Sequence, residues 1–449
     1  MRSILRLLWE RATTSFWLWP VLITLSSIAG ALLAISADRQ WADVFRAPAT
    51  VGLLFGGSPA GARTALSTIA GAMITIAALV FSTTMIALTL ASNQLGPRVM
   101  RVFMADRGTQ MSLGVFIGTF AYCLVGLGAV DDTAAARFVP RLTVSGAFVL
   151  ALTGLGVLIY FLHHVARAIQ APVAIASVAA DLDRSVARRS RTGPDQPGPR
   201  VRPVDVSASD DLVVAATRKG YVQIVDAEAL AAVACAHDVE VRVSCRAGDF
   251  VFPGVPLARL RLPAGEAPAA DSRRIAHDVA GAIAVGEERT PVQDLAFQFD
   301  QLIEIGIRAL SPGINDPITC LSCLHQCTAA LAAIAAQPEP GRIVRDSTGR
   351  ARVFLRERDF EDFAGLVFNG LRTYGAGSRL VVLALLDALG QLARTVAPAW
   401  RPCLDDHAER IVADARRRID NEADLRDITA ALAETRARLG GGARSRAVS

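Results

Sequence analysis

The sequence predicts a membrane α-helical domain of four transmembrane helices followed by a cytoplasmic α+β region, which is a small β-rich module and then a mainly helical part. Three observations carry this. Apolar runs are concentrated before residue 165 and charges after it. Between Arg63 and Arg98 there is no Asp, Glu, Lys, Arg or His. A helix over that run is about 50 Å long against a hydrocarbon core of about 30 Å, so it can cross a bilayer. Beyond residue 205, short alternating runs punctuated by Gly and Pro give way to longer stretches with helical spacing.

Composition narrows the class. Apolar residues make up 52% of the chain and the formal net charge is +5. Lys219 is the only lysine, and the arginines show no basic face unmatched by acids, so nucleic acid is not expected as a partner. The seven cysteines are scattered and odd in number, which reads as reduced thiols rather than a disulfide framework.

The transmembrane domain is expected over 1–165. Residues 1–15 carry Arg2, Arg6 and Arg11. The first span, about 16–36, opens on Phe16, Trp17 and Trp19, an interfacial aromatic cluster. Its length and Trp-rich entry favour a retained helix over a cleaved signal peptide. Asp38 to Gly57 is a polar connection. Ser58-Pro59 supplies an N-cap and a first-turn proline, and Gly96-Pro97 ends the helix that starts there, with its membrane part at about 64–91. The third span, about 111–130, carries Gly114 and Gly118 at close-packing spacing, and the fourth, about 142–162, is closed by His163 and His164. Four spans put both termini on one side. The N-terminal arginines, the second loop and the segment after span four bring that side an excess of Arg. The termini are therefore expected to be cytoplasmic and the protein to lie in the inner membrane.

The second span has a pattern of its own. Thr68, Thr75, Ser82 and Thr89 recur every seven residues, and Gly71, Ala78, Met85 and Ser92 recur beside them, three positions on. Together they form a stripe of mostly small and hydroxyl side chains on one helical face. Two readings stay open. The stripe packs helices, with hydroxyls bonded to backbone. Alternatively, copies of this helix meet around an axis, giving a homo-oligomer whose hydroxyls line a solute path. Arg63, Arg98 and Arg101 flank it and would favour anions if a path exists, though as interface anchors they need no such role.

Residues 166–204 are expected as a helix leaving the membrane, to Arg191, and a Pro/Gly linker over 190–204. The β-rich module, 205–265, should contain strands over 212–215, 220–226, 239–244, 250–252 and 256–262, with a short helix over 227–236. The cytoplasmic helical domain, 270–439, opens with Thr290-Pro291-Val292-Gln293 as a capping box for a helix to about Leu310. Asn315-Asp316-Pro317 starts the next, to about Ala336. A hairpin is expected over 342–355, then helices at about 359–374, 378–396 and 403–439, and a disordered tail over 440–449. Arg379, Asp387 and Arg394 make the apolar stretch Leu380–Leu392 a buried soluble helix rather than a further span.

Asp294, Gln298, Glu304, Arg308, Asn315 and Asp316 form the candidate ligand site, against the plain reading as an i,i+4 ion pair and helix caps. Cys320, Cys323 and Cys327 share a helical face but lack a fourth ligand, so no metal is expected. No phosphate-binding loop, dinucleotide motif, HExxH or nucleophile elbow occurs, so neither a cofactor nor an enzyme activity is expected.

The run ALSTIAGAMITIAALVFSTTMIALTLASNQLGPRVMRVFMADRGTQMSLGVFIGTFAYCLVGL (65–127), with RTPVQDLAFQFDQLIEIGIRALSPGINDP (289–317), resembles the bacterial predicted-membrane-protein family called domain of unknown function DUF2254. The resemblance covers nearly the whole chain. It implies a multi-span inner-membrane protein with a cytoplasmic C-terminal half, and it supplies no activity, substrate or catalytic residue. Separately, GDFVFPGVPLARL resembles barrel-sandwich modules of the lipoyl and biotinyl type, but no lysine stands at a hairpin tip, which disfavours a carrier role.

Overall fold

The computed structural model describes residues 16–41, 55–98, 103–104, 106–133, 136–191, 212–262, 269–337 and 343–440. The arginine cluster of 1–15, most of the 38–57 connection, Arg101, most of the Pro/Gly linker and the tail beyond Gly440 lie outside these residues. The chain forms two compact units that divide between Ala174 and Ile175.

The N-terminal unit holds four long helices: α1 (Leu18–Gln40), α2 (Pro59–Leu95), α3 (Arg107–Ala129) and α4 (Arg141–Ala168). Each matches one expected span: α2 and α4 overrun theirs at both ends, α1 at its C-terminal end and α3 at its N-terminal end. Local caps explain three of the ends. The Ser58 hydroxyl accepts the Gly61 N–H at 3.2 Å with Pro59 in the first turn, and α2 stops at Gly96, where φ is +105°. Helix α3 begins at Arg107 because the Asp106 carboxylate accepts the Thr109 N–H at 2.9 Å. A short hairpin, β1 (Asp131–Thr133) and β2 (Ala136–Phe138), joins α3 to α4.

Packing follows the small residues. A Cβ at Gly114 would come within 2.8 Å of Ile23 Cδ1, and one at Gly118 within 2.6 Å of Ser27 Oγ, so these glycines let α1 lie against α3. Leu66, Phe116, Val144, Ala147 and Phe161 form the centre of the core. Outside it, Leu25, Leu33, Leu79, Ile86, Leu152 and Ile159 are exposed. An outer surface this apolar on helices of this length belongs in hydrocarbon.

The helix expected to leave the membrane from Ala166 is a separate element, α5 (Ala171–Arg191), after a break at Ile169–Gln170. From Ile175 on it belongs to the C-terminal unit. Val178, Leu182 and Val186 are buried, the Gln337 amide donates to Val186 O at 3.0 Å, and the Arg189 guanidinium donates to Arg358 O at 3.2 Å.

The strand-like runs fold as strands: β3 (Leu212–Ala215), β4 (Gly220–Val225), β5 (Glu240–Val243), β6 (Phe250–Val251) and β7 (Pro256–Arg261), with α6 (Ala227–Ala236) between β4 and β5. Helix α7 (Ala269–Gly281) and β8 (Ile283–Gly286) follow. After α8 (Leu295–Ala309) and α9 (Pro317–Ala335) comes the hairpin β9 (Ile343–Arg345) and β10 (Ala351–Phe354). One sheet runs β3-β7-β5-β10-β9 and the other β6-β4-β8. Strand β10 pairs parallel with β5, Val353 opposite Val241, and every other pairing is antiparallel. The core of this β-rich region therefore draws Ile275, Val279, Ile283, Val285, Val353 and Leu355 from beyond residue 265.

The remaining helices are α10 (Phe360–Gly375), α11 (Arg379–Leu392), α12 (Arg401–Ala415) and α13 (Glu422–Gly440). Two sequence expectations are corrected here. Thr290 does not cap a helix: α8 begins at Leu295, where the Asp294 carboxylate accepts the Phe297 N–H at 3.2 Å. Gln293 instead bonds the backbone of Val225 on β4. The single helix expected over 403–439 is two. Ile419 is buried in the turn, and Asn421 Oδ1 accepts the Ala423 N–H at 2.9 Å to start α13, which folds back onto α11 and α12.

Five helices among the described residues are long and apolar enough to cross a membrane: α1 to α4, and α9 in the C-terminal unit.

Candidate functional site

The heptad stripe lies on the outside of its own chain. Thr68, Gly71, Thr75, Ala78, Ser82 and Thr89 are all exposed, while Leu66, Ile69, Ala70, Met73, Ala77 and Val80 form the buried face of α2. The two sets interleave at helical spacing, so one looks into the bundle and the other away from it. A Cβ on Gly71 would meet nothing within 4 Å. Two of the stripe's hydroxyls bond back one turn: Thr75 Oγ1 donates to Gly71 O and Thr89 Oγ1 to Met85 O, each at 2.8 Å. That uses their protons and leaves acceptor capacity on the oxygens. Of the flanking arginines, Arg63 is engaged within the chain, donating to Val130 O at 3.0 Å.

The candidate ligand residues of the soluble half are split between the two ends of α8, about 20 Å apart along its axis. At the start stands Asp294, the N-cap, buried, with Gln298 one turn on. The Gln298 Oε1 is buried without a hydrogen-bond partner. At the other end Asn315 takes a left-handed conformation, φ +48°, which turns the chain, and Asp316 caps α9 by accepting the Thr319 N–H at 3.1 Å. Glu304 and Arg308 face one another at 3.6 Å.

A network missed in the sequence surrounds Asp294. Arg289 bridges Asp294 and Asp300, 2.7 Å to each. Burial pushes the Asp294 carboxyl up, and Arg289 draws it back down. The turn before β6 comes so close that a Cβ on Gly248, at φ +92°, would overlap the Asp294 carboxylate. Asp294 thus ties three segments together: α8, the Arg289 strand exit and the Gly248 turn. The sequence signal was an Arg five residues before a capping Asp, which is too common to read alone.

Two further polar sites sit near the ends of the membrane helices. Asp38, 3% exposed, accepts the Leu142 N–H at 2.9 Å, the Thr143 N–H at 3.0 Å and the Thr143 hydroxyl at 2.8 Å. A carboxylate in the last turn of α1 opposes that helix's dipole, and it finds its compensation at the N-terminus of α4. Near the other end, His164 Nε2 lies 2.8 Å from Asp106, with Tyr160 stacked on the imidazole at 5.3 Å.

The three cysteines of α9 are fully buried. Burial pushes the Cys320 thiol up to about 12 and raises Cys323 and Cys327 as well. In α12, His407 is buried against Phe368, its Nδ1 without a hydrogen-bond partner, and burial lowers its pKa.

The family described as predicted membrane protein (DUF2254) matches residues 13–391 of this chain. Uncharacterised proteins of Mycobacterium bovis and of two strains of Mycobacterium tuberculosis are 31% identical to it over 385 residues, which is 85% of this chain and 73% of each relative. No solved structure matches the chain.

Proposed function

Since the chain belongs to the DUF2254 family of predicted membrane proteins, we propose that it works as an oligomeric, channel-like protein of the inner membrane. In this reading α2 of several copies lines the path, and the C-terminal unit is a cytoplasmic regulatory domain. The observation that carries it is the outward exposure of all six stripe residues on a helix whose opposite face is filled by its own bundle. Any path therefore lies between copies. With the Thr75 and Thr89 protons spent on the backbone, those two oxygens offer acceptors, which suits a cation or a neutral donor-bearing solute better than the anion that Arg63 would favour.

The same reading takes four spans, α1 to α4, with both termini cytoplasmic. Helix α9 is apolar enough for a fifth, but it turns Ser322, His325 and Gln326 outward and buries Cys320, Leu324, Cys327 and Leu331. Such a polar outer face suits water rather than lipid.

A second reading keeps α2 self-association and dispenses with the path: the spans anchor a ligand-binding or scaffolding unit. The backbone-bonded hydroxyls of Thr75 and Thr89 favour it, because such residues also pack helix against helix without any solute. Native mass spectrometry of the detergent-purified protein, followed by flux into liposomes, separates the two. Three or more subunits, with flux altered by Thr75→Leu and Ser82→Leu in an intact assembly, support the channel. A dimer with no flux supports the anchor, and a monomer removes both forms of self-association.

A further inference from the structure

Near one end of the membrane bundle the helices enclose a cavity of about 210 Å³. Its walls come from the entry to α1, the second half of α2, the approach to α3 and the end of α4. Four of the lining side chains are also on the outer surface: Trp17 is 57% exposed, Phe81 42%, Met104 40% and Met85 37%. The mouth therefore opens sideways on the flank of α2 that carries Phe81 and Met85, away from Leu79 and Ile86. Thr109 and Val165 line the cavity too but are buried, so they form its floor.

The polar groups in the wall are already satisfied. The Asp106 carboxylate is held by His164 at 2.8 Å and by the Thr109 N–H at 2.9 Å, and the Thr84 hydroxyl donates to Val80 O at 2.7 Å. The rest of the wall is apolar side chain, so the space asks for hydrocarbon. An apolar cavity of about 150 Å³ is known to stay dry and to accept a benzene, and this one is larger. Its depth in the bilayer is marked independently. Trp17 stands at the mouth, and the Arg107 guanidinium, next in sequence to Asp106, lies 5.9 Å above the Trp19 ring. Exposed Trp and Arg at a helix end are anchors of the headgroup boundary. A cavity that begins at that level and opens to lipid is placed to take a chain whose head stays outside.

We propose that this cavity is a binding site for one acyl chain of a membrane phospholipid, entering between Trp17, Phe81 and Met85 and ending against Thr109 and Val165. The lipid would bridge α2 and α4 and exchange only slowly with the bilayer.

The test uses the full chain. Wild type and the cavity-filling variants Ala87→Phe and Ala168→Trp are purified in mild detergent, and retained phospholipid is counted by native mass spectrometry. Leu79→Phe, on the outer face of α2, is the control. The lipid-bound fraction should fall by about tenfold in the filled variants and stay unchanged in the control. A second readout needs no variant. Wild-type protein in liposomes containing phosphatidylethanolamine with a chain-terminal diazirine is irradiated and the adducts are mapped. Adducts at Thr109 or Val165 confirm entry. Equal lipid retention in all forms, with adducts confined to exposed residues such as Leu79 and Ile86, overturns the proposal. So does release of a small apolar molecule in place of phospholipid.

Discussion

Replacing Asp38 with alanine should loosen the membrane bundle where α1 meets the start of α4. The side chain is buried and supplies the acceptor for three donors, the amides of Leu142 and Thr143 and the Thr143 hydroxyl. The hydroxyl can rotate to its own backbone, as the hydroxyls of Thr75 and Thr153 do. The two amides cannot. Leaving a buried donor unsatisfied costs about 1–3 kcal/mol, so the pair costs roughly 2–6 kcal/mol, above the ~1 kcal/mol typical of an ordinary helix cap. For a unit of this size each kcal/mol moves the melting temperature by about 2–4 °C, giving a drop of roughly 4–24 °C. Asp38→Asn should fall between, because its Oδ1 still accepts one amide while its NH2 faces the other. The assay is thermal unfolding of the detergent-purified protein followed by size exclusion. Ser36→Ala is the control, since that hydroxyl bonds only Leu33 O of its own helix. If Asp38→Ala melts within ~2 °C of Ser36→Ala, the cap is not holding α4 and the reasoning fails.

Gly248→Ala should destabilise the C-terminal unit by about 2–4 kcal/mol, from the left-handed backbone and the clash with Asp294 together, read as an earlier unfolding transition. Burial holds the His407 imidazole below its ordinary value near 6.5, and Arg372 and Arg410 act the same way, while Asp406 opposes them. The unfolded chain therefore takes up this proton at higher pH than the folded one. The stability His407 contributes is full above about pH 6.5 and is lost as the pH falls through that value towards the folded pKa. Melting temperatures between pH 7.5 and 5.5 should show that slope in the native chain and a shallower one in His407→Leu. Thiol labelling at neutral pH should modify Cys235, which is exposed, ahead of all others. Cys403 is half-buried with its thiol pushed up to about 12, and the remaining five are buried, so they should react only after denaturation. Rapid labelling of Cys320, Cys323 or Cys327 would contradict their place in the core.

Much of the fold was legible because its signals are local. The strand-like run Leu212–Ala215, the short apolar helix Ala227–Ala236 and the Asp316-Pro317 start of α9 lie where the sequence put them. What escaped depends on partners distant in sequence. Thr290 and Asp294 both offer a helix cap, and the choice of Asp294 rests on Arg289 and on the Gly248 turn some forty residues earlier. The parallel pairing of β10 with β5 could not be read from either strand, since the two lie far apart in sequence. Asp38 reads as a loop charge until α4 is brought to it. The stripe on α2 was legible as a pattern, but not its direction. The buried set from Leu66 to Val80 includes alanines as small as the exposed set's, so residue size does not say which face looks outward.

The central claim is that this outward face of α2 meets its counterpart in another copy. It is tested most directly by cysteine cross-linking in native membranes, in a Cys235→Ser background that removes the exposed native thiol. Single cysteines are placed at Gly71, Thr75, Ala78 and Ser82 on the stripe, at Leu79 and Ile86 beside it, and at Leu152 on the outer face of α4. The account predicts covalent dimers or larger species from the four stripe positions and little from the other three. Cross-linking that is absent at the stripe, or equal at all seven positions, would contradict it.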